Sequence, residues 1–165
     1  MSSTDVAATP HRISVVVPVY QGEATLAELV GELEGWTAES RTAKGRPFRV
    51  EEVLLVHDHG PDRSDEVIRK LAEEYPFVRG VWLSRNYGQH PATLAGMASS
   101  GGEWIVTMDE DGQHDPADIG GMLDVALDQG ASIVYGEALN PPPHGPFRNL
   151  TSRLSKRVLA ALTGS

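Results

Sequence analysis

Short runs of β-branched and aliphatic residues alternate along this chain with stretches whose apolar residues recur at helical spacing, and this alternation restricts the fold most. Residues 13–19, with Ile13, Val15, Val16, Val17 and Val19, read as a strand buried on both faces, with Pro18 near its end. Leu26, Leu29, Val30 and Leu33 then form one stripe of a helix. Further strands are expected at 53–56, 78–83, 104–108 and 132–135, with a loop or frayed helix end over 37–47. Between them, Ile68, Leu71, Ala72 and Tyr75 mark a second helix with Ser64 as its N-cap. Pro91 opens a third helix that ends near Gly101 and Gly102. A fourth has Asp115 and Pro116 as N-cap and first residue, and Ile119, Met122, Leu123 and Ala126 facing inward, with Gly130 closing it. Strand alternating with helix predicts an α/β fold, a mostly parallel sheet flanked by helices with right-handed crossovers. The chain divides into a flexible start over 1–12, the α/β domain over 13–136, and a basic segment over 137–165.

The 165 residues, 40% of them hydrophobic, suit one core. Fourteen Lys plus Arg against twenty-three Asp plus Glu give a net charge of -9, which repels phosphate and sets nucleic acid aside as a partner. The absence of cysteine excludes disulfides, thiolate zinc sites and cysteine nucleophiles. Residues 1–12 lack the apolar core of a signal peptide, and no apolar run approaches the roughly 20 residues of a membrane helix, so the reading is cytoplasmic.

In parallel α/β sheets ligands bind at the carboxyl ends of the strands. Tyr20 and Glu23 follow the first strand, Asp58 the second, Arg85 and Asn86 the third, and the acidic segment from Asp109 to Asp115 the fourth. If that segment is extended, alternate residues share a face, so Asp109, Asp111 and Gln113 would offer three oxygens to one side. Mg²⁺ and Mn²⁺ take such ligands, and Mg²⁺ is often held by one or two carboxylates plus substrate phosphates. The same spacing also suits a solvated acidic turn capping the next helix.

These segments together carry a resemblance. Val15-Val16-Val17-Pro18-Val19-Tyr20-Gln21-Gly22-Glu23, Val56-His57-Asp58-His59-Gly60-Pro61-Asp62-Arg63-Ser64, Leu83-Ser84-Arg85-Asn86-Tyr87-Gly88 and Asp109-Glu110-Asp111-Gly112-Gln113 resemble, in order, the signature segments of family 2 glycosyltransferases of GT-A fold. The last two are most similar to the branch of dolichyl-phosphate mannose synthase and the undecaprenyl-phosphate sugar transferases. The resemblance implies an inverting transferase that moves a sugar from a UDP- or GDP-type donor, with Mg²⁺ or Mn²⁺ as cofactor. It implies that Pro18, Tyr20 and Glu23 line the nucleotide pocket and that Asp58 accepts a hydrogen bond from the base. Arg85 and Asn86 would lie near the nucleotide or diphosphate, although Arg85 reads equally well as a surface cation. Asp109 would approach ribose and metal, and Asp111 and Gln113 would hold the metal, which makes Asp109 and Asp111 the catalytic pair. There are departures. Gln21 and Gly22 stand where the family usually has Asn and an acidic or small polar residue, His57 and His59 replace an Asp and a Gly, Gly112 replaces a Leu, and Asp115 replaces a Pro.

A metal beside the diphosphate would stabilise the charge that grows on the leaving group. A lipid phosphate, with a second pKa of about 6, is already an anionic nucleophile at neutral pH, so a polyprenyl phosphate acceptor needs no strong general base. From Ala138 onward there is no acidic residue, while Arg148, Arg153, Lys156 and Arg157 accompany the stripe Leu150, Leu154, Val158 and Leu162. Such a helix suits the inner face of an anionic membrane, self-association into a homo-oligomer, or simply a solvated basic face. A dinucleotide oxidoreductase would share the fold class, but its glycine-rich turn is missing after the first strand, where Gly22 stands alone. The standing alternative is a nonenzymatic nucleotide-sugar-binding module or fragment. The resembled family continues past a point like Gly164, which predicts a C-terminally truncated chain that binds donor and transfers sugar poorly.

Overall fold

A computed structural model describes residues 9–136, which belong almost entirely to one compact unit ending at Val134. The predicted helix around Leu154 and its basic neighbours lie outside the described residues.

The chain runs β1 (His11–Val19), α1 (Leu26–Glu34), β2 (Ser40–Arg41), β3 (Pro47–His57), α2 (Ser64–Glu74), β4 (Val78–Trp82), α3 (Gln89–Ser99), β5 (Trp104–Thr107) and α4 (Asp118–Gln129). β1 is central, parallel to β3 on one side and to β5 on the other. The far edge of β3 is shared: β4 runs parallel to its second half and β2 antiparallel to its beginning. The sheet is therefore mostly parallel, as the alternation predicts.

Side-chain alternation builds two cores. Ile13, Val15, Val17 and Val19 of β1, with Val53 and Leu55 of β3, face Leu26, Leu29, Val30 and Leu33 of α1, Ile68 and Leu71 of α2, and Ile119 and Leu123 of α4. Val16, Leu54 and Val56 face the other way onto Ala92 of α3. Burying each such side chain contributes about 1.5–3 kcal/mol, which is what holds these short helices in place. α3 lies close to the sheet because Gly96 has no Cβ, which would overlap Val16 and Val56.

Several local expectations are corrected. β1 begins at His11, and β3 extends back to Pro47 because β2 folds against it within what reads as a loop. Ser64 is the first residue of α2 and does not cap it; the Asp62 carboxylate accepts the Ser64 N–H at 3.2 Å. α4 begins at Asp118, after a turn in which Asp115 Oδ1 accepts the Ala117 N–H at 2.9 Å. Residues 132–135 form no strand, and Ile133 and Tyr135 are 69% and 88% exposed. A short apolar run becomes a strand only when a partner takes its N–H and C=O groups, and none of the described strands lies beside it. No described helix is long and apolar enough to cross a membrane.

Candidate functional site

The parallel strands end together, so the segments after β1, β3, β4 and β5 meet at one edge of the sheet. Hydrogen bonds join them in a closed circuit. The N–H groups of Tyr20 and Gln21 donate to Glu110, at 2.9 and 3.1 Å. The next two, of Gly22 and Glu23, donate to Ser64 Oγ at 2.8 Å and Asp62 Oδ2 at 3.0 Å. The carboxylate of Asp58 accepts the Tyr87 N–H at 2.7 Å and the Gly88 N–H at 2.8 Å, joining the second segment to the third. Gln89 Nε2 donates to Asp109 Oδ1 at 2.6 Å, joining the third to the fourth. Close packing adds to this. A Cβ on Gly60 would overlap the Tyr20 carbonyl, and one on Gly22 would lie 2.9 Å from Glu110 Oε2.

The electrostatics follow from these contacts. Glu23 takes two hydrogen bonds from the Arg63 guanidinium, at 2.9 and 2.5 Å, and one from its N–H. That pairing holds the Glu23 carboxyl below its ordinary value. Burial opposes ionisation of Asp62, but hydrogen bonds from Ser64 and the Glu23 amide outweigh it, and its pKa is also lowered. Glu110 goes the other way. Burial raises its pKa, the Gln21 and Tyr20 amides offset part of that, and the charges of Asp62 and Asp111 add to it.

Asp58 is 4% exposed, its oxygens turned to backbone amides, whereas Tyr20 is 43% exposed at the mouth of the edge. Pro18 is buried in β1 opposite Val56, and Arg85 and Asn86 are exposed, with the Arg85 guanidinium 4.8 Å from the centre of the Tyr87 ring. Residues 110–112 turn, with Gly112 at φ 69°, so strand alternation does not align Asp109, Asp111 and Gln113. Asp111 Oδ1 instead accepts the Gln113 N–H at 3.1 Å, and both residues are exposed. Among the described residues no three acidic or histidine side chains are assembled as a cation cage. The donors present are still carboxylate and amide oxygens at a solvent-facing strand end, which fits a cation that completes its shell with water and phosphate.

Sequence reading missed Glu110, Gln89, Gly60 and the Asp62–Ser64 pair as parts of this edge. The Asp-x-Ser spacing of Asp62 and Ser64 is a local signal for a side-chain-capped turn. The other contacts join residues up to 90 positions apart, and no local pattern shows them. The departure at His59 has a visible consequence: it adopts φ 54°, the left-handed region that glycine takes freely. His57 is buried, and its Nε2 has no hydrogen-bond partner among the described residues.

Comparison with known proteins identifies the fold and the family. The chain is 38% identical over 153 residues to an undecaprenyl-phosphate 4-deoxy-4-formamido-L-arabinose transferase of Pseudomonas aeruginosa (strain LESB58), covering 92% of this chain and 42% of that protein. It is 33% identical to the transferase of the same name from Aeromonas hydrophila, covering 99% of this chain and 47% of the relative. The chain thus spans less than half the length of these relatives. Among solved structures, S. aureus TarS matches with TM-score 0.57 at 19% identity, over 82% of this chain and 38% of that one. A mannosyltransferase from Pyrobaculum calidifontis, in complex with GDP-Man and Mn²⁺, matches with TM-score 0.56 at 21% identity, over 78% of this chain and 35% of that one. Both are likenesses of fold. Residues 14–162 match Glycosyl transferase family 2, and the chain belongs to that family.

Proposed function

We propose that this chain forms the donor side of an inverting transferase that moves a sugar from a nucleoside-diphosphate donor to a polyprenyl phosphate at a membrane surface. The observation that carries the reading is the closed circuit at the carboxyl edge, which leaves Tyr20 and Asp111 exposed and Asp109 half-buried beside them on a braced frame. The names of the undecaprenyl-phosphate relatives support the acceptor class.

In this reading the base and ribose lie against Tyr20, between Glu23 and Asp58. Asp58 first orders Tyr87 and Gly88, and its remaining lone pairs suit the imide N–H of a pyrimidine or guanine base. Arg85 is free to turn from the Tyr87 ring to the diphosphate. Asp109, Asp111 and the Gln113 amide oxygen would hold Mg²⁺ or Mn²⁺, which when bound supplies positive charge beside the departing diphosphate. To bind there, Asp109 exchanges its hydrogen bond from Gln89 for the cation. The acceptor phosphate arrives as an anion, so this edge needs to orient the donor and exclude competing water more than to remove a proton.

The test is transfer of radiolabelled sugar from UDP- and GDP-sugar donors to undecaprenyl phosphate in detergent, with Mn²⁺ and with EDTA, using the longest chain that contains this sequence. Cation-dependent label in the lipid phase is expected. Label transferred equally in EDTA would remove the cation, and donor binding without any lipid product would leave only the binding module.

A further inference from the structure

Glu110 lies between the two acids proposed to hold the cation, yet its carboxylate is engaged by the loop that follows β1. It is half-buried, it accepts the consecutive N–H groups of Tyr20 and Gln21, and it packs over Gly22 where a methyl group would have no room. A side chain that only filled this space would have no use for a charge, and a carboxylate close to Asp62 and Asp111 repels both. What the carboxylate supplies, and an apolar side chain would not, is a two-oxygen clamp on the backbone where β1 ends. Gly22 and Glu23 are anchored separately by Ser64 and Asp62, so Glu110 is the link from the β5 end to this loop in the circuit.

We propose that Glu110 is a positioning residue that couples cation binding at Asp109 and Asp111 to the order of the nucleotide-facing loop at Tyr20 and Gln21. The proposal rests on the donor-site reading above and concerns how its two halves communicate. A cation drawing in Asp109 and Asp111 fixes Glu110 between them, and the clamp passes that order to two amides that ligate no metal. The effect is reciprocal: a nucleotide that orders Tyr20 tightens cation binding by the same factor. Glu110→Ala uncouples the two, and the factor by which Mn²⁺ tightens UDP or GDP binding falls about tenfold, within the 5–150-fold range usual for coupled sites. Glu110→Gln keeps one acceptor oxygen and retains an intermediate coupling.

Hydrogen–deuterium exchange at Tyr20 and Gln21, with Mn²⁺ as the only added ligand, tests this directly. Slower exchange on adding Mn²⁺ is expected in the wild-type chain, none in Glu110→Ala, and a partial response in Glu110→Gln. A purely structural role would raise exchange and lower the melting temperature without removing the response to Mn²⁺. If the Ala variant does not fold, the graded response of Glu110→Gln decides. An equal response in wild type and variants, or none in wild type, overturns the proposal. UDP and GDP melting shifts, measured in parallel, report on the donor site separately. A loop response to Mn²⁺ without any nucleotide shift sinks the donor reading and leaves the coupling standing, and the converse sinks the coupling alone.

Discussion

At the scale of single residues, the carboxyl edge is held by close contacts with little tolerance. Gly60 is required because any Cβ there meets the Tyr20 carbonyl, a backbone atom that cannot rotate away. Gly60→Ala should therefore destabilise by at least about 2 kcal/mol and also weaken nucleotide binding, since relief of the clash moves Tyr20. A melting temperature within a degree of wild type would contradict that packing. A second residue-scale prediction concerns acid stability at the opposite end of the strands. Glu52 is buried and accepts Ser14 Oγ–H at 2.8 Å, the Gly101 N–H at 2.6 Å and the Arg79 guanidinium at 2.5 Å. Burial opposes its ionisation, but these partners win and its pKa lies below the ordinary 4.5. The unfolded chain then binds the proton more readily, so the stabilisation is present above about pH 4.5 and is lost as pH falls toward the folded pKa. Urea midpoints between pH 3 and 6 should show Glu52→Gln less stable than wild type at pH 6, the difference shrinking toward pH 3. A difference that grows on acidification would reverse the assignment.

The elements were legible where one periodicity dominated. The stripe Leu26, Leu29, Val30 and Leu33 is buried as spaced, and so are Ile68 and Leu71. The errors fall where tertiary pairing decides. Polar residues at the start of β3 hide a strand that becomes one only because β1 and β2 flank it, and the apolar run at 132–135 stays irregular without a neighbour. Helix α3 is held by shape as much as by apolar area, with Gly96 against Val16 and Val56. Gly96→Ala improves helix propensity by up to about 1 kcal/mol but forces α3 off the sheet at a cost of roughly 1–3 kcal/mol. The net result should be a lower unfolding free energy, and a stabilised variant would show that α3 packs less closely than described.

At the scale of the whole molecule, the sheet brings four distant segments to one edge and hydrogen bonds close them into a frame. The mostly parallel sheet and the position of the edge could be expected from the alternation of elements. The residues that brace the edge could not, because Glu110, Gln89 and Asp58 make their contacts across 20 to 90 positions of sequence. The segment expected to be extended over Asp109, Asp111 and Gln113 is a turn at 110–112, with Gly112 at φ 69°, which local composition did not reveal. At this edge, in the proposed function, a nucleoside diphosphate binds through a cation held by Asp109 and Asp111. This is tested most directly by the melting temperature of the chain with UDP or GDP, with and without Mn²⁺, in wild type, Asp109→Asn and Asp111→Asn. Ligand at 100 times Kd stabilises by about 2.7 kcal/mol. Expected are a nucleotide shift in wild type that needs Mn²⁺, a reduced shift in Asp109→Asn and none in Asp111→Asn, with all three chains melting alike without ligand. An Mn²⁺-dependent shift that persists undiminished in Asp111→Asn would contradict the proposed function.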